Sequence, residues 1–381
     1  MGVKTGFETQ LGGAGRGLDS YEYGIGAELV IPRIVSPVRI AGSTEMFVPR
    51  TRIKAEYQSL NRANLFRLNS FGAAYGFVWN RSARTRHHLN PVSINYVRSG
   101  GFSEDFEQRL LLFPSLRRSF EQQLIVGTDY SLVYNTQFDD WRRNHVYFNA
   151  NLDVAGNLLY AMHSIASGQS GAPDDPFRLF GIEYSQYARL DMDFRYFFPL
   201  GGNSRLVTRF IGGVGIPYGN SNAMPYVKQF FVGGTNSVRA FQARSIGPGT
   251  YRPAEDEPGF FVDRTGDIRL EANVEHRFPM ISILHGALFV DAGNIWMVRA
   301  EQEREGTAFD FDTFIHEFAV GAGFGLRLDA SFFVLRLDTA FPLRKPYLPA
   351  GERWVVDDIR FGSSRWRSDN LAFNLAIGYP F

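Results

Sequence analysis

Residues 233–249 read GGTNSVRAFQARSIGPG, with Arg239 at their centre between Val238 and Ala240-Phe241. A guanidinium is planar, always charged and carries five donors in a fixed fork, so the chemistry it offers is the grip of carboxylates. Once buried it requires them, because an unpaired charge out of water is costly. Gly233, Gly234, Gly247, Pro248 and Gly249 suit a chain that turns sharply in a confined space. Carboxylates follow at Glu275, in Glu275-His276-Arg277-Phe278-Pro279, and at Asp291, in Phe289-Val290-Asp291-Ala292-Gly293.

Bond-making chemistry has no comparable pattern. His87, His88, His145, His163, His276, His285 and His316 show no HExxH or similar ligand spacing. The chain has no cysteine, which removes thiol nucleophiles, disulfides and Cys-based metal sites. Gly168-Gln169-Ser170-Gly171 is not a nucleophile elbow, and Gly321-Ala322-Gly323-Phe324-Gly325 lacks dinucleotide-binding spacing. Asp191 and Asp193 could imitate an acid–base pair, but same-face neighbours on a strand read more simply as lining. The expectation is a protein that is not an enzyme and takes no cofactor and no metal. Lys and Arg number 40 against 39 Asp and Glu, a net charge of +1, which argues against a nucleic-acid partner.

The elements that hold these residues are strands. Period-two alternation dominates the chain. From Ala188 to Phe198, Arg189, Asp191, Asp193 and Arg195 alternate with Leu190, Met192, Phe194, Tyr196 and Phe198. From Gly266 to Phe278, Asp267, Arg269, Glu271, Asn273, Glu275 and Arg277 share the other kind of face. About fourteen strands of the roughly 9–11 residues needed to span a bilayer are expected. They lie near 2–10, 20–32, 50–60, 65–80, 84–98, 118–135, 143–154, 178–198, 203–217, 264–278, 283–298, 314–329, 331–341 and 369–381. Long connections at 33–48, 99–117, 156–177, 218–263, 299–313 and 342–368 are expected outside the cell, with a short helix over 157–165. Tight turns such as Leu200-Gly201-Gly202-Asn203 are expected on the periplasmic side. No apolar run reaches the ~18 residues of a transmembrane helix, and Met1-Gly2-Val3-Lys4-Thr5 does not read as a signal peptide.

Two architectures accept this alternation. A soluble sandwich buries the apolar face and wets the charged one. A membrane barrel inverts them, with lipid on the apolar face and a hydrated lumen on the charged face. The chain combines 35 Phe, 17 Tyr and 39 Gly with a mean hydropathy of only -0.18, which favours the barrel. Aromatic residues near strand ends and dense rows of both charge signs point the same way. Lipid cannot satisfy backbone N–H and C=O groups, so such strands must close on themselves. The expected fold is all-β, an antiparallel transmembrane β-barrel.

The 233–249 segment resembles the conserved sixth extracellular loop of the outer-membrane insertase superfamily, the BamA/TamA type or bacterial surface antigen barrel. Ala240 stands where that family carries Gly, a departure similar to the TamA-like branch of Bacteroidetes-type bacteria. Glu275 through Pro279 resembles the family's Glu-x-x-x-Pro, and Phe289 through Gly293 its Phe-x-Asp-x-Gly. The resemblance implies that a loop over about 218–263 folds inward and that Arg239 locks onto Glu275 and Asp291. Residues 370–381 alternate Leu371, Phe373, Leu375, Ile377, Tyr379 and Phe381 on one face. They resemble the β-signal recognised by the outer-membrane assembly machinery, with Tyr379 and Phe381 as its terminal aromatics; porins share that signal. Pro380 lacks an N–H and breaks the ladder there.

The family's barrel has sixteen strands, eleven before the loop; about nine precede it here and five follow. The resemblance therefore implies one barrel domain over 1–381, with POTRA domains and a first hairpin lying outside it; miscounted strands are the other explanation. It also implies the bacterial outer membrane as location and a role in inserting outer-membrane proteins. The expected partners are membrane lipid, client proteins and a TamB-like periplasm-spanning protein. The alternative is a transport pore of the two-partner-secretion or porin type. The barrel of a tethered lipase shares the loop motif, but the chain supplies no nucleophile for it.

Overall fold

The computed structural model describes residues 2–8, 20–36, 48–62, 65–139, 141–251, 264–300, 304–330 and 333–381. Fourteen strands form one antiparallel sheet whose spatial order is the order of the chain. They are β1 (Gly2–Glu8), β2 (Ser20–Ile31), β3 (Arg50–Arg62), β4 (Phe66–Asn80), β5 (Thr85–Gly100), β6 (Gln123–Asn135) and β7 (His145–Ala155). There follow β8 (Tyr187–Gly201), β9 (Ser204–Pro217), β10 (Ile268–Ile281), β11 (Leu284–Trp296), β12 (Ala319–Asp329), β13 (Val334–Arg344) and β14 (Ala372–Ile377).

The sheet turns its apolar face outward. On β10, Glu271, Asn273 and Glu275 are 0–1% exposed while Val274 between them is 44% exposed. On β13 and β14, Arg336, Asp338 and Asn374 are buried, and Leu335, Leu337, Phe373 and Leu375 face out. A soluble sandwich does the reverse, since each such side chain left in water forfeits about 1.5–3 kcal/mol. Lipid removes that penalty, and the sandwich reading falls.

The sheet is also curled around its own long connection. Tyr226 packs on Phe66 of β4 at 5.4 Å and receives a hydrogen bond from Arg244 at 3.4 Å. Five residues before Arg244, the Arg239 carbonyl accepts from Asn374 of β14 at 3.0 Å. In a flat sheet β4 and β14 would stand ten spacings apart, about 48 Å at ~4.8 Å each. Residues 238–245 are folded into turns by Phe241 N–H to Val238 O (3.1 Å) and Ser245 N–H to Gln242 O (3.2 Å), so they bridge far less than that. The strands wrap the loop as a barrel.

Antiparallel alternation sorts the connections to two ends. Residues 81–84, 136–144, 202–203, 282–283 and 330–333 join strands at one end, and 101–122, 156–186, 218–267, 297–318 and 345–371 join them at the other. The 32–49 connection lies at the short-turn end, so the expectation that 33–48 sits with the other long loops is corrected by strand parity alone. Its residues 37–47 lie outside the described residues. At the 201–203 turn, Gly201, Gly202 and Asn203 take φ of 101°, 57° and 60°, a left-handed run that two glycines make accessible.

Four strand starts shift for local reasons. The expected 118–135 strand begins at Gln123, because α1 (Glu104–Leu112) and α2 (Pro114–Ser119) occupy the connection, with Pro in the first turn of α2. The 178–198 strand divides into a small hairpin, Arg178–Leu179 with Ile182–Glu183, and then β8. Phe314–Glu317 is a 3-10 turn preceding β12. Before β14, α4 (Ser364–Asn370) is capped by the Ser363 hydroxyl, which accepts from Trp366 N–H. The expected short helix is α3 (Asn157–Ser167), bounded by left-handed Gly156 and Gly168.

Candidate functional site

The 233–249 segment enters the lumen on left-handed glycines. A Cβ on Gly233 would lie 2.2 Å from the Gln242 carbonyl, so only glycine fits there. Gly234 N–H donates to Phe241 O at 3.0 Å and closes the tip that presents Arg239. Val238 is buried with Val232, Ile246 and Ile295, and Phe241 joins that group to Ala240, Phe289 and Ala340. The wall is hollowed to receive Ala240: a Cβ on Gly321 of β12 would come within 2.3 Å of the Ala240 methyl. Beyond Gly247 and Pro248, Gly249 N–H donates to Ile295 O (2.7 Å) and the Asn294 amide donates to Gly249 O (2.9 Å).

Arg239 is fully buried and each nitrogen of its fork has a carboxylate partner. Nε and Nη2 donate to the two oxygens of Asp291 at 2.8 and 2.9 Å, and the Arg239 backbone N–H reaches the same carboxylate at 3.1 Å. Nη1 donates to Glu275 at 2.5 Å and stands 3.7 Å from Asp338. Its guanidinium carbon lies 3.4 Å from the centre of the Phe289 ring. Burial disfavours its charge, but Asp291, Glu275 and Asp338 outweigh burial and hold its pKa above the ordinary arginine value. Charge-assisted bonds of this kind contribute about 1.5–3 kcal/mol each when buried and well aligned.

A second ring surrounds the first. Arg277 donates to Glu275 at 2.7 Å, and Arg327 reaches Glu275 at 3.4 Å and also pairs with Asp338. Arg336 donates to Thr235 O and Asn236 Oδ1 at 2.9 and 2.8 Å, holding the loop from β13. Asn273 donates to Asp291 (2.9 Å) and to Ser237 O (3.0 Å), and the Ser237 hydroxyl donates to Glu271 (2.8 Å). Arg239, Arg277 and Arg327 are thus matched by Glu275, Asp291 and Asp338, all at most 7% exposed, while buried Glu271 is paired by Arg269 and Arg336 stands 3.5 Å from Asp338. That balance is what permits so many charges out of water.

The structure brings Arg239, Glu275 and Asp291 into contact, and adds Asp338, Arg327 and Arg336, which no motif marked. Their signal was parity: all three lie on strands whose alternation was visible, on the face shared with other charges. The C-terminal expectation is corrected. Leu371 through Phe381 do not form one face, because Gly378 (φ 91°) ends the alternation. Phe373, Leu375 and Ile377 face out, whereas Phe381 turns into the lumen against Phe197 and Val207. Tyr379 lies under Arg277 at 4.6 Å, and Arg277 donates to Phe381 O at 3.0 Å. Asp191 pairs with Arg189, and Asp193 is held by Arg195 and Arg209 at 2.6 and 2.8 Å. His87 stacks on Trp79 at 5.0 Å and shares a 2.7 Å hydrogen bond with the Tyr130 hydroxyl.

A sequence model of the Omp85 superfamily domain matches residues 2–378. The chain belongs to the Omp85 superfamily. It is an outer-membrane β-barrel. Outer membrane protein assembly factor BamA of Neisseria meningitidis serogroup B (strain ATCC BAA-335 / MC58) is 27% identical over 181 residues, 42% of this chain and 22% of that protein. The chain therefore spans 22% of the length of that curated relative. The crystal structure of BamA from Haemophilus ducreyi lacking POTRA domains 1-3 matches 99% of this chain and 70% of its own, with TM-score 0.62 at 14% identity; it shares the fold. CdiB from Acinetobacter baumannii matches 98% of this chain and 58% of its own, with TM-score 0.43 at 11% identity.

Proposed function

We propose that this barrel is the membrane part of a factor that assists insertion of outer-membrane proteins, and that it does so without catalysing a bond-making step. The observation that supports this reading is the latched loop. Residues 224–246 cross the lumen, from Met224 and Tyr226 among Phe66, Phe106 and Phe120 to Arg239 among its carboxylates. A conduit requires open space. One luminal pocket, between Lys54, Glu56, Asp153 and Lys228, holds about 160 Å³, room for a few waters. Assembly uses the wall instead. An incoming strand would pair with unsatisfied N–H and C=O groups at a strand edge. Membrane lipid and client barrels are the partners in this reading, and a TamB-like protein spanning the periplasm is the partner that the TamA-like resemblance adds.

The test places the protein, expressed from its full-length gene, in vesicles and offers it an unfolded β-barrel client. Faster appearance of heat-modifiable client with little conductance is expected. Large steady conductance without faster client folding would sink the reading and support the two-partner-secretion or porin-like pore.

A further inference from the structure

We infer that the β4–β5 and β6–β7 turns form a binding site for the headgroup of an anionic phospholipid in the periplasmic leaflet. The inference rests on the outer-membrane barrel, not on the insertion role. The short-turn end is the periplasmic one, since barrels of this kind keep their long loops outside. Of its short connections, 202–203, 282–283 and 330–333 carry no charge. The two neighbouring turns at 81–84 and 136–144 hold Arg81, Arg84, Arg142 and Arg143 against Asp139 and Asp140, the last outside the described residues.

Those arginines frame exposed aromatic side chains. Trp141 is 71% and Phe138 75% exposed. The guanidinium carbons of Arg84 and Arg142 lie 5.5 and 4.6 Å from the Trp141 ring, and both arginines pair with Asp139, at 2.6 and 3.2 Å. Asp139 thereby fixes two cations beside one indole, while Arg143 is exposed and makes no ion pair among the described residues. Just above, the lipid-facing wall ends in an aromatic row. Asp129 and Asp153 pair on the inner face, which puts Tyr130 outside; the register carries the same side to Leu89, His87 and Trp79. Trp79, His87 and Tyr130 stack there, with ring centres 5.0 and 6.1 Å apart.

An indole and a phenyl ring exposed at the periplasmic end of the wall, with two guanidiniums at the indole and two more arginines on the same turns, match one ligand chemistry. The rings take the glycerol and upper acyl region, and the guanidiniums take phosphate oxygens in the fork geometry that suits them. Each arginine near an anionic surface contributes roughly fivefold to such binding.

The test embeds the folded protein in phosphatidylcholine nanodiscs with or without phosphatidylglycerol and counts retained lipid by native mass spectrometry. Parent protein is expected to retain phosphatidylglycerol over phosphatidylcholine, and Arg81→Gln/Arg143→Gln to lose that preference by roughly 25-fold. Arg81→Lys/Arg143→Lys should keep most of it, and a heat-modifiable band on gels checks that both variants remain folded. If the Gln pair does not fold, Arg143→Gln alone carries the test, with a roughly fivefold loss expected. Equal retention of the two lipids by the parent, or unchanged retention in the Gln variant, overturns the inference. So does crosslinking of position 143 to a periplasmic protein segment in phosphatidylglycerol-containing membranes, which would make these turns a protein contact.

Discussion

Arg239→Ala is the perturbation that most directly tests the site. It leaves the backbone N–H that reaches Asp291 at 3.1 Å and the Asn273 amide at 2.9 Å, but removes the fork that neutralises that carboxylate. Glu275 keeps Arg277 at 2.7 Å, so Asp291 bears most of the loss. Breaking a buried pair by deleting one partner costs about 3–5 kcal/mol, because the surviving charge stays out of water. The internal control is Arg365→Ala: its pairing with Asp369 spans 4.0 Å with the arginine side chain 93% exposed, and such pairs contribute about 0–1 kcal/mol. Denaturant titration followed by the shift between unboiled and boiled bands reads both. A loss of about 3–5 kcal/mol is expected for Arg239→Ala, and only partial recovery for Arg239→Lys, which keeps the charge and loses the fork. A midpoint for Arg239→Ala as close to the parent as that of Arg365→Ala would refute the lock.

Three further outcomes follow from the same geometry. Gly321→Val should push out the Ala240 tip and open residues 233–249 to protease, and adding Ala240→Gly should reduce the cutting. Phe381→Ala should destabilise the barrel by about 3–5 kcal/mol through its contacts with Phe197 and Val207, whereas lipid-facing Ile377→Ala should cost less; equal effects would show that Phe381 is not seated in the lumen. A double-mutant cycle between Arg239→Ala and Arg336→Ala should be non-additive by at least ~0.5 kcal/mol, since Asp338 lies 3.7 Å from one and 3.5 Å from the other. Additivity would show that the two rings act independently.

Strand existence was legible because two solvents sort side chains with a period of two, and that signal survives without any partner. Nine strands before the loop and five after it are visible in the alternation and present in the sheet. Strand starts were not legible where polar connections also alternate by chance, as before Gln123 and Tyr187. There the deciding terms are a proline starting a helix and a left-handed Phe180-Gly181 turn, both local. Arg239, Glu275 and Asp291 stood out because they sit in motifs. Asp338 and Arg327 did not, because an inward charge on a strand reads as lumen lining until a loop fills the lumen. Phe381 was misread for a related reason: parity counts onward through Gly378, whereas a φ of 91° resets which side follows.

The cluster's charge balance also governs how the loop can leave its seat. Withdrawing it removes Arg239 from Asp291 and Glu275, Ser237 from Glu271, and the Thr235 and Asn236 acceptors from Arg336 at once. If the tip backs out slightly while water is still excluded, each separated charge stays buried and unpaired, which is the costliest arrangement available. If it leaves entirely, water enters and every group regains hydration. Both ends of the path therefore lie below its middle, so the loop is either seated or out. The apolar packing of Val238 and Ala240 adds to the seated end, since water does nothing for a buried methyl. The arginine thus fixes where the loop seats and makes the seating all-or-none, and the small apolar residues on either side of it add to the seated state.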